Sequence, residues 1–285
     1  MKKVLILGAN GMAGHVVNSY LRSLGLYDVR SAARLQISSP IDIILDVFNT
    51  NELVNHLEFE KFNVVINCIG SLNKDAEDNP DKAIFLNSYL PHFLSRTGSR
   101  LGFRLIHIST DCVFSGKMGS YNENDVKDGV GFYAQTKALG EVNIGQHLTI
   151  RTSIIGPELK NEGIGLLHWF LNQTFEVNGY TKAYWTGVTT LELAKAIDAA
   201  IKQNTNGLYH LVNDEKISKY NLLTLIAKVF NRSIYIKPEP EYTVDKSLIN
   251  NRTDFNYKVP SYDNMLLDLY AWMLSGNFEY SYKIK

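Results

Sequence analysis

The sequence predicts a doubly wound α/β protein followed by a smaller α+β lobe, and three observations carry that expectation. Short, continuously apolar runs alternate with helix-period segments, a glycine-rich turn joins the first run to the first helix, and the alternation fades after Gly156. Strands that are apolar on both faces belong to a parallel sheet covered by helices on each side. With 285 residues, 45% hydrophobic and 20% charged, the chain has material for a large core.

Taken in order, the strand-like runs are residues 4–7, 29–33, 41–45, 64–69, 104–108 and 148–151, bounded by turn residues. Val16, Val17, Tyr20, Leu21 and Leu24 form the apolar stripe of the first helix, and Ala83, Leu86, Asn87 and Leu90 form another that runs as far as Pro91. Beyond Gly156, residues 166–171, 191–201 and 222–230 predict helices and 208–212 a strand. The prolines of 237–242 predict a loop, and 245–257 is polar and irregular. The expected division is a cofactor domain over 1–156, with part of 186–215 returning to it, and a mainly substrate-binding lobe over 157–285.

Charge and cysteine usage narrow the function classes. Lys plus Arg and Asp plus Glu are 29 each, so no net field draws the chain to nucleic acid or to an anionic membrane, and any anion must be captured locally. Only four apolar residues separate Met1-Lys-Lys from Gly8, and no stretch reaches transmembrane length, so a soluble cytoplasmic protein is expected. Cys68 and Cys112 lie in or beside apolar runs, which favours free thiols over a disulfide, and two cysteines predict no zinc site.

Gly8-Ala-Asn-Gly11-Met-Ala-Gly14 follows a strand and opens a helix, the context of a dinucleotide-binding turn. The first glycine permits the tight turn, the second admits a pyrophosphate, and the third lets helix and strand pack closely. Gly8, Asn10, Gly11 and Met12 are therefore candidate cofactor contacts, with the helix N-terminus facing the phosphates. The second strand ends in Val29-Arg30-Ser-Ala-Ala-Arg34, with arginines where an acidic residue would bind a ribose 2′-hydroxyl. A guanidinium suits a 2′-phosphate, which favours NADPH over NADH and Arg34 over Arg30; solvated surface arginines are the alternative. Asp46 and Val47 close the next run, where a carboxylate suits the adenine amino group.

Tyr133-Ala-Gln-Thr-Lys137 places a phenol and an ammonium on one helical face. A tyrosine ordinarily ionises near pH ~10, and the expectation is that Lys137 stabilises the phenolate. Chance also supplies this spacing. Ser109-Thr110 at a strand end and the glycine turn give it a context.

The glycine turn, His107-Ile-Ser-Thr-Asp-Cys-Val-Phe-Ser-Gly116, Tyr133-Ala-Gln-Thr-Lys-Ala-Leu-Gly-Glu141 and Arg151-Thr-Ser-Ile-Ile-Gly156 together resemble the extended short-chain dehydrogenase/reductases, most closely the dTDP-4-dehydrorhamnose reductase branch. Asn73-Lys-Asp-Ala-Glu77, Asn87-Ser-Tyr-Leu-Pro91 and Thr186-Gly-Val-Thr189 also resemble segments of that family. The resemblance implies a Rossmann-like cofactor domain and NADPH-dependent reduction of a nucleotide-activated 4-keto-6-deoxy sugar for surface polysaccharide. It implies that Thr110 binds the substrate carbonyl, Tyr133 protonates it and Lys137 holds the nicotinamide ribose. Such a proton donor lowers the barrier to hydride addition. It further implies that Cys68, Ile69, Gly70 and Asn87 line the cofactor, and that Asn73, Lys74, Cys112, Arg151, Ser153, Trp185 and Arg252 line the substrate.

Several of these assignments carry alternatives. Arg151 either lies near the nicotinamide or is buried against backbone carbonyls, Trp185 either stacks on the substrate or seals a core, and Arg252 either grips a diphosphate or is a solvated loop residue. Cys112 stands where the branch has tyrosine, so sugar contacts are expected to differ. His107 reads as a packed residue, and Tyr280 and Tyr282 as surface or dimer packing, which leaves a homodimer open. No glutamate pair suggests magnesium. A sugar-nucleotide epimerase or dehydratase shares the fold, yet Asp111-Cys112 lacks the second carboxylate of an elimination. A non-catalytic NADP-binding regulatory subunit, like the one that binds methionine adenosyltransferase, is a further alternative, because a fold and cofactor site can outlive activity.

Overall fold

The computed structural model describes residues 1–37, 40–276 and 278–282. Seven parallel strands form the main sheet: β1 (Lys2–Leu7), β2 (Tyr27–Ala33), β3 (Ile43–Ile44), β4 (Val64–Asn67), β5 (Arg104–Thr110), β6 (Leu148–Thr152) and, far along the chain, β10 (Gly207–His210). Their order is β10-β6-β5-β4-β1-β2-β3, so the winding reverses between β1 and β4. A crevice opens there at the carboxyl ends of the strands, where ligands bind in such sheets. The predicted doubly wound sheet is therefore the observed one, with β3 reduced to two residues.

Helices cover both faces. On one side α1 (Met12–Ser23) packs with α8 (Thr190–Gln203), and Val16, Val17 and Leu21 meet Ile197, Ala200 and Ile201 in one apolar cluster. On the other side lie α2 (Thr50–Glu60) and α5 (Leu90–Leu101), burying Leu53, Leu57, Leu90 and Leu94 against Leu5, Leu7 and Leu105. The helix expected to stop at Pro91 does not stop there. It passes from α4 (Pro80–Ala83) through a π turn (Ile84–Tyr89) into α5, with Pro91 near the start of the new segment. Proline lacks an N–H and tolerates the first turn of a helix, and the π turn re-phases the ladder just before it.

That re-phasing positions the next helix, α6 (Gly131–Leu139). Gly140 caps α6, and a Cβ there would fall inside the van der Waals radius of the Asn87 carbonyl oxygen. A larger residue would push α6, which carries Tyr133 and Lys137, away from the π turn.

The smaller lobe has β8 (Glu176–Trp185) at its centre, antiparallel to β11 (Ile217–Ser218) and parallel to β12 (Tyr235–Asp245). Its helices are α7 (Leu166–Leu171), α9 (Lys219–Val229) and α10 (Tyr262–Leu274), while β7 (Ile154–Ile155) and β9 (Val188–Thr189) pair where the lobes join. The 237–242 stretch is strand rather than loop. β12 is an edge strand that breaks register between Glu239 and Thr243, and edges and bulges are where a sheet accepts proline. The last tyrosines pack within the chain: Tyr280 and Tyr282 stack at 5.7 Å, and the Tyr282 hydroxyl accepts from the Glu158 N–H. No helix among the described residues is long and apolar enough to cross a membrane.

Candidate active site

Three cavities run end to end along the carboxyl edge of the sheet. The first, about 330 Å³, is lined by Gly8, Asn10, Gly11, Arg34, Asp46 and Val47. It meets the second, about 340 Å³, at Cys68, Ile69 and Gly70. The second holds Met12, Asn73, Thr110, Tyr133, Lys137 and Ser153. A third, about 370 Å³, opens from it past Asp111, Cys112, Trp185 and Lys219 into the smaller lobe.

The first cavity is shaped by close packing at the glycine turn. A Cβ on Gly14 would overlap the Gly8 carbonyl, so only glycine lets α1 start so close to β1. Gly11 caps α1 without a side-chain hydrogen bond, and no acidic residue stands in the first turn. Those free N–H groups and the helix dipole make an anion site. The Asn10 amide ties the turn to the Leu35 carbonyl at 2.6 Å. Arg34 is exposed at the rim, and no ion pair engages it among the described residues. Arg30 does not line the cavity and lies 3.4 Å from Asp28.

Asn87 is fully buried behind the cavity wall. Its amide bonds both the N–H and the carbonyl of Ser71 at 2.9 Å, and the Thr136 hydroxyl at 3.1 Å. It therefore braces the loop after β4 against α6 and does not line a cavity.

In the second cavity, β5 delivers Thr110 and α6 delivers Tyr133 and Lys137. The Thr110 hydroxyl accepts from the Cys112 N–H at 3.1 Å and donates to Asp111 Oδ1 at 3.0 Å. Burial pushes the Tyr133 phenol above its ordinary range, with Cys112 and Asp111 adding to the shift and a hydrogen bond from Thr110 opposing it. The phenol is held protonated. The Lys137 ammonium donates to the Ile108 carbonyl at 2.6 Å and faces His107 Nε2 at 3.5 Å. Burial lowers Lys137 to about 8, with Glu141 and Cys68 opposing. His107 is packed, as the sequence suggests, but it packs against Lys137 and against the Asn67 amide at 3.2 Å. Burial raises the thiols of Cys68 and Cys112 to about 12 and about 11, so neither is a thiolate near neutrality.

Arg151 takes neither of its two expected roles. It is buried in a network under the site, with Nε and Nη2 donating to both Glu141 oxygens at 2.8 and 2.7 Å. Its Nη1 meets His210 Nε2 at 2.7 Å. Burial and this guanidinium pull His210 down to about 4, so it is a neutral acceptor. Ser109 adds a 2.8 Å bond to Glu141, so the network ties the end of α6 to β5, β6 and β10.

Two further expected substrate residues also lie away from the cavities. Lys74 has a side chain 89% exposed and 4.0 Å from Asp78. Arg252 is held by Asp254 and by the carbonyls of Asn206 at 2.6 Å and Leu208 at 2.9 Å, so its donors are spent on the edge of β10. Trp185 is buried and also borders the second and third cavities, with its indole N–H unpartnered. Lys219 was not foreseen: nothing near it in sequence marks it, and only the packing of α9 on β8 brings it to the cleft. Among the described residues no cluster of His, Cys, Asp or Glu is disposed to hold a metal.

Comparison with known proteins adds three findings. The family model described as RmlD substrate binding domain matches residues 1–248. Methionine adenosyltransferase 2 subunit beta from Bos taurus is 26% identical over 262 residues, covering 83% of this chain and 75% of that one. Among solved structures, a hypothetical dTDP-4-dehydrorhamnose reductase from Sulfolobus tokodaii superposes with a TM-score of 0.76 at 25% identity, covering 93% of this chain and 99% of that one. The dTDP-4-dehydrorhamnose reductase from Bacillus anthracis, solved with NADP, gives 0.80 at 21% identity, covering 95% and 99%.

Proposed function

The chain belongs to the RmlD substrate binding domain family, and from that premise we propose that it is an NADPH-dependent reductase of a nucleotide-activated 4-keto-6-deoxy sugar. The observation that carries the reading is the meeting of Thr110, Tyr133 and Lys137 in one cavity that is continuous with the groove at the glycine turn. The groove fits a dinucleotide phosphate: it offers an uncapped helix N-terminus, a wall that only glycine permits, and an exposed arginine at the rim. Gly11 and Met12 would hold the pyrophosphate, Asp46 the adenine, Arg34 the 2′-phosphate and Lys137 the nicotinamide ribose. When bound, the nicotinamide supplies a hydride.

The chain's own part is to manage the oxygen of the ketone. Negative charge grows on that oxygen as the carbon is reduced, and donors fixed on it lower the barrier. Tyr133 arrives protonated, as a donor for this direction of reaction must. Thr110 orients the oxygen, the Lys137 ammonium adds positive charge beside the cleft, and the phenolate left after donation regains its proton from solvent. An elimination would need a second acid/base group after Asp111, and Cys112, its thiol raised to about 11, does not provide one.

NADPH oxidation should require a 4-keto sugar nucleotide, followed at 340 nm. Tyr133→Phe should lower turnover by about 10²–10⁴-fold while NADPH still binds. Failure of every dTDP- and UDP-linked 4-keto-6-deoxyhexose would remove the reductase reading. The likeness to a methionine adenosyltransferase subunit supports a second reading, in which the same cofactor site serves a partner-binding subunit. Co-purification with a methionine adenosyltransferase, without ketone reduction, would favour it.

A further inference from the structure

The third cavity holds two lysines, and among the described residues neither forms an ion pair. Lys219, the first residue of α9, and Lys246, just past β12, both line it. Cys112 lines it as well, its thiol under the charge of Lys246, while Asp111 and that thiol act on Lys219. Among the described residues no carboxylate comes within ion-pair distance of either ammonium. Other lysines do pair, Lys216 with Asp245 at 2.7 Å and Lys195 with Asp268 at 2.5 Å. Lys219 instead packs its ammonium 4.9 Å from the centre of the Trp185 ring. Asp111 lines the same cavity and favours the Lys219 charge from beyond ion-pair distance, yet burial outweighs it, so the fold leaves a place that an anion would complete.

The rest of the cavity says which anion. Tyr180 and Tyr242 stand in its wall with ring centres 4.8 Å apart, both exposed, and offer a stacking surface. Arg252, the residue expected to hold a diphosphate, is fully engaged elsewhere. We propose that Lys219 and Lys246 clamp the diphosphate bridge of the substrate, with its base against Tyr180 and Tyr242 and its sugar in the cleft of Tyr133. The assignment rests on the sugar-nucleotide reading above. Two cations match the charge of a diphosphate, and each ammonium makes charge-assisted bonds to phosphoryl oxygen. Burial lowers Lys219 to about 8, with Asp111 and Cys112 opposing. Bound anion raises it again, so binding takes up a proton and weakens as pH climbs above 8.

A carboxylate on an acidic sugar would offer the same chemistry, and calorimetry separates the two. Purified protein is titrated with dTDP, UDP, the matching monophosphates and glucuronate, for the unmodified chain, Lys219→Met, Lys246→Met and Lys219→Arg. The diphosphates should bind at least tenfold tighter than the monophosphates. Either Met variant should erase most of that gap without changing NADP affinity, and Lys219→Arg should restore it. Should Lys219→Met lose NADP binding through misfolding, Lys246→Met and Lys219→Arg still decide. An unchanged diphosphate-to-monophosphate ratio in the folded variants overturns the clamp, as does glucuronate binding that depends on the lysines while dTDP binding does not. An intact gap without reduction of any keto sugar would sink the reductase reading and leave the clamp standing.

Discussion

Replacing Arg151 by methionine tests whether the buried network is what holds the catalytic helix to the sheet. The Arg151 and Glu141 side chains are 1% and 3% exposed and share two bonds at 2.8 and 2.7 Å. Removing one partner of such a pair strands the other charge and costs about 3–5 kcal/mol. Ser109 and Lys127 still reach Glu141, at 2.8 and 3.2 Å, which places the loss near the lower bound, about 3 kcal/mol. For a chain of this length the unfolding entropy is roughly 0.6 kcal/mol per kelvin, so Tm should fall by about 5 °C at pH 7. The pH dependence has a definite sign. Burial raises the Glu141 carboxyl, but Arg151, Lys127 and Ser109 outweigh it and hold it below its ordinary value. A carboxylate depressed in the folded state contributes stability above its unfolded pKa, and that contribution disappears as pH falls through the folded pKa. The Tm gap between the variant and the unmodified protein should therefore narrow in acid. Scanning calorimetry of Arg151→Met, Glu141→Gln and the double variant checks both points. A Tm within about 1 °C at pH 7, or single effects that simply add, would refute the coupling on which the estimate rests.

Three further outcomes are expected. Arg34→Ala should weaken NADPH at least tenfold while NADH binding stays nearly constant; equal losses in direct titrations would remove the 2′-phosphate assignment. Lys137, lowered to about 8, is charged below that pH and neutral above it, so kcat/KM for the ketone should decline above pH 8. The decline should persist in Lys219→Met, whose lysine is lowered to a similar value, and a flat profile in that variant would shift the effect to Lys219. Gly140→Ala should force α6 off the Asn87 carbonyl at about 1–3 kcal/mol, typical of overpacking, and an unchanged thermal midpoint would mean that the two helices separate freely.

Most of the main sheet was legible because its signals are local. A run such as Val4–Leu7 is apolar on both faces, and a glycine turn follows it, so strand, turn and helix are written in consecutive residues. The misreadings share a cause. In the sequence, Pro91 and the prolines at 238 and 240 carry the signature of breakers, yet a proline's effect depends on what stands before or beside it. The π turn admits Pro91, and an edge position beside β8 admits the other two. Neither the re-phased ladder nor the free edge is a property of the proline's own neighbours in sequence.

The site divides along the same line. Thr110, Tyr133, Lys137 and the glycine turn lie within motifs whose spacing already states their geometry, and all of them line the joined cavities. The charged residues of the third cavity have no such spacing. Lys219 and Lys246 are 27 positions apart and more than a hundred from Thr110, and they meet Cys112 only because α9 and β12 both pack on β8. Arg252 looked the better anion ligand in sequence because arginine grips phosphate in two-point fashion. Its donors were already matched by Asp254 and two carbonyls, a fact that only the folded edge of β10 reveals. An unpaired cation is therefore the more informative signal: in a protein with equal numbers of acidic and basic residues, the proposed clamp falls on the lysines that fold without an ion-pair partner beside the reactive cleft.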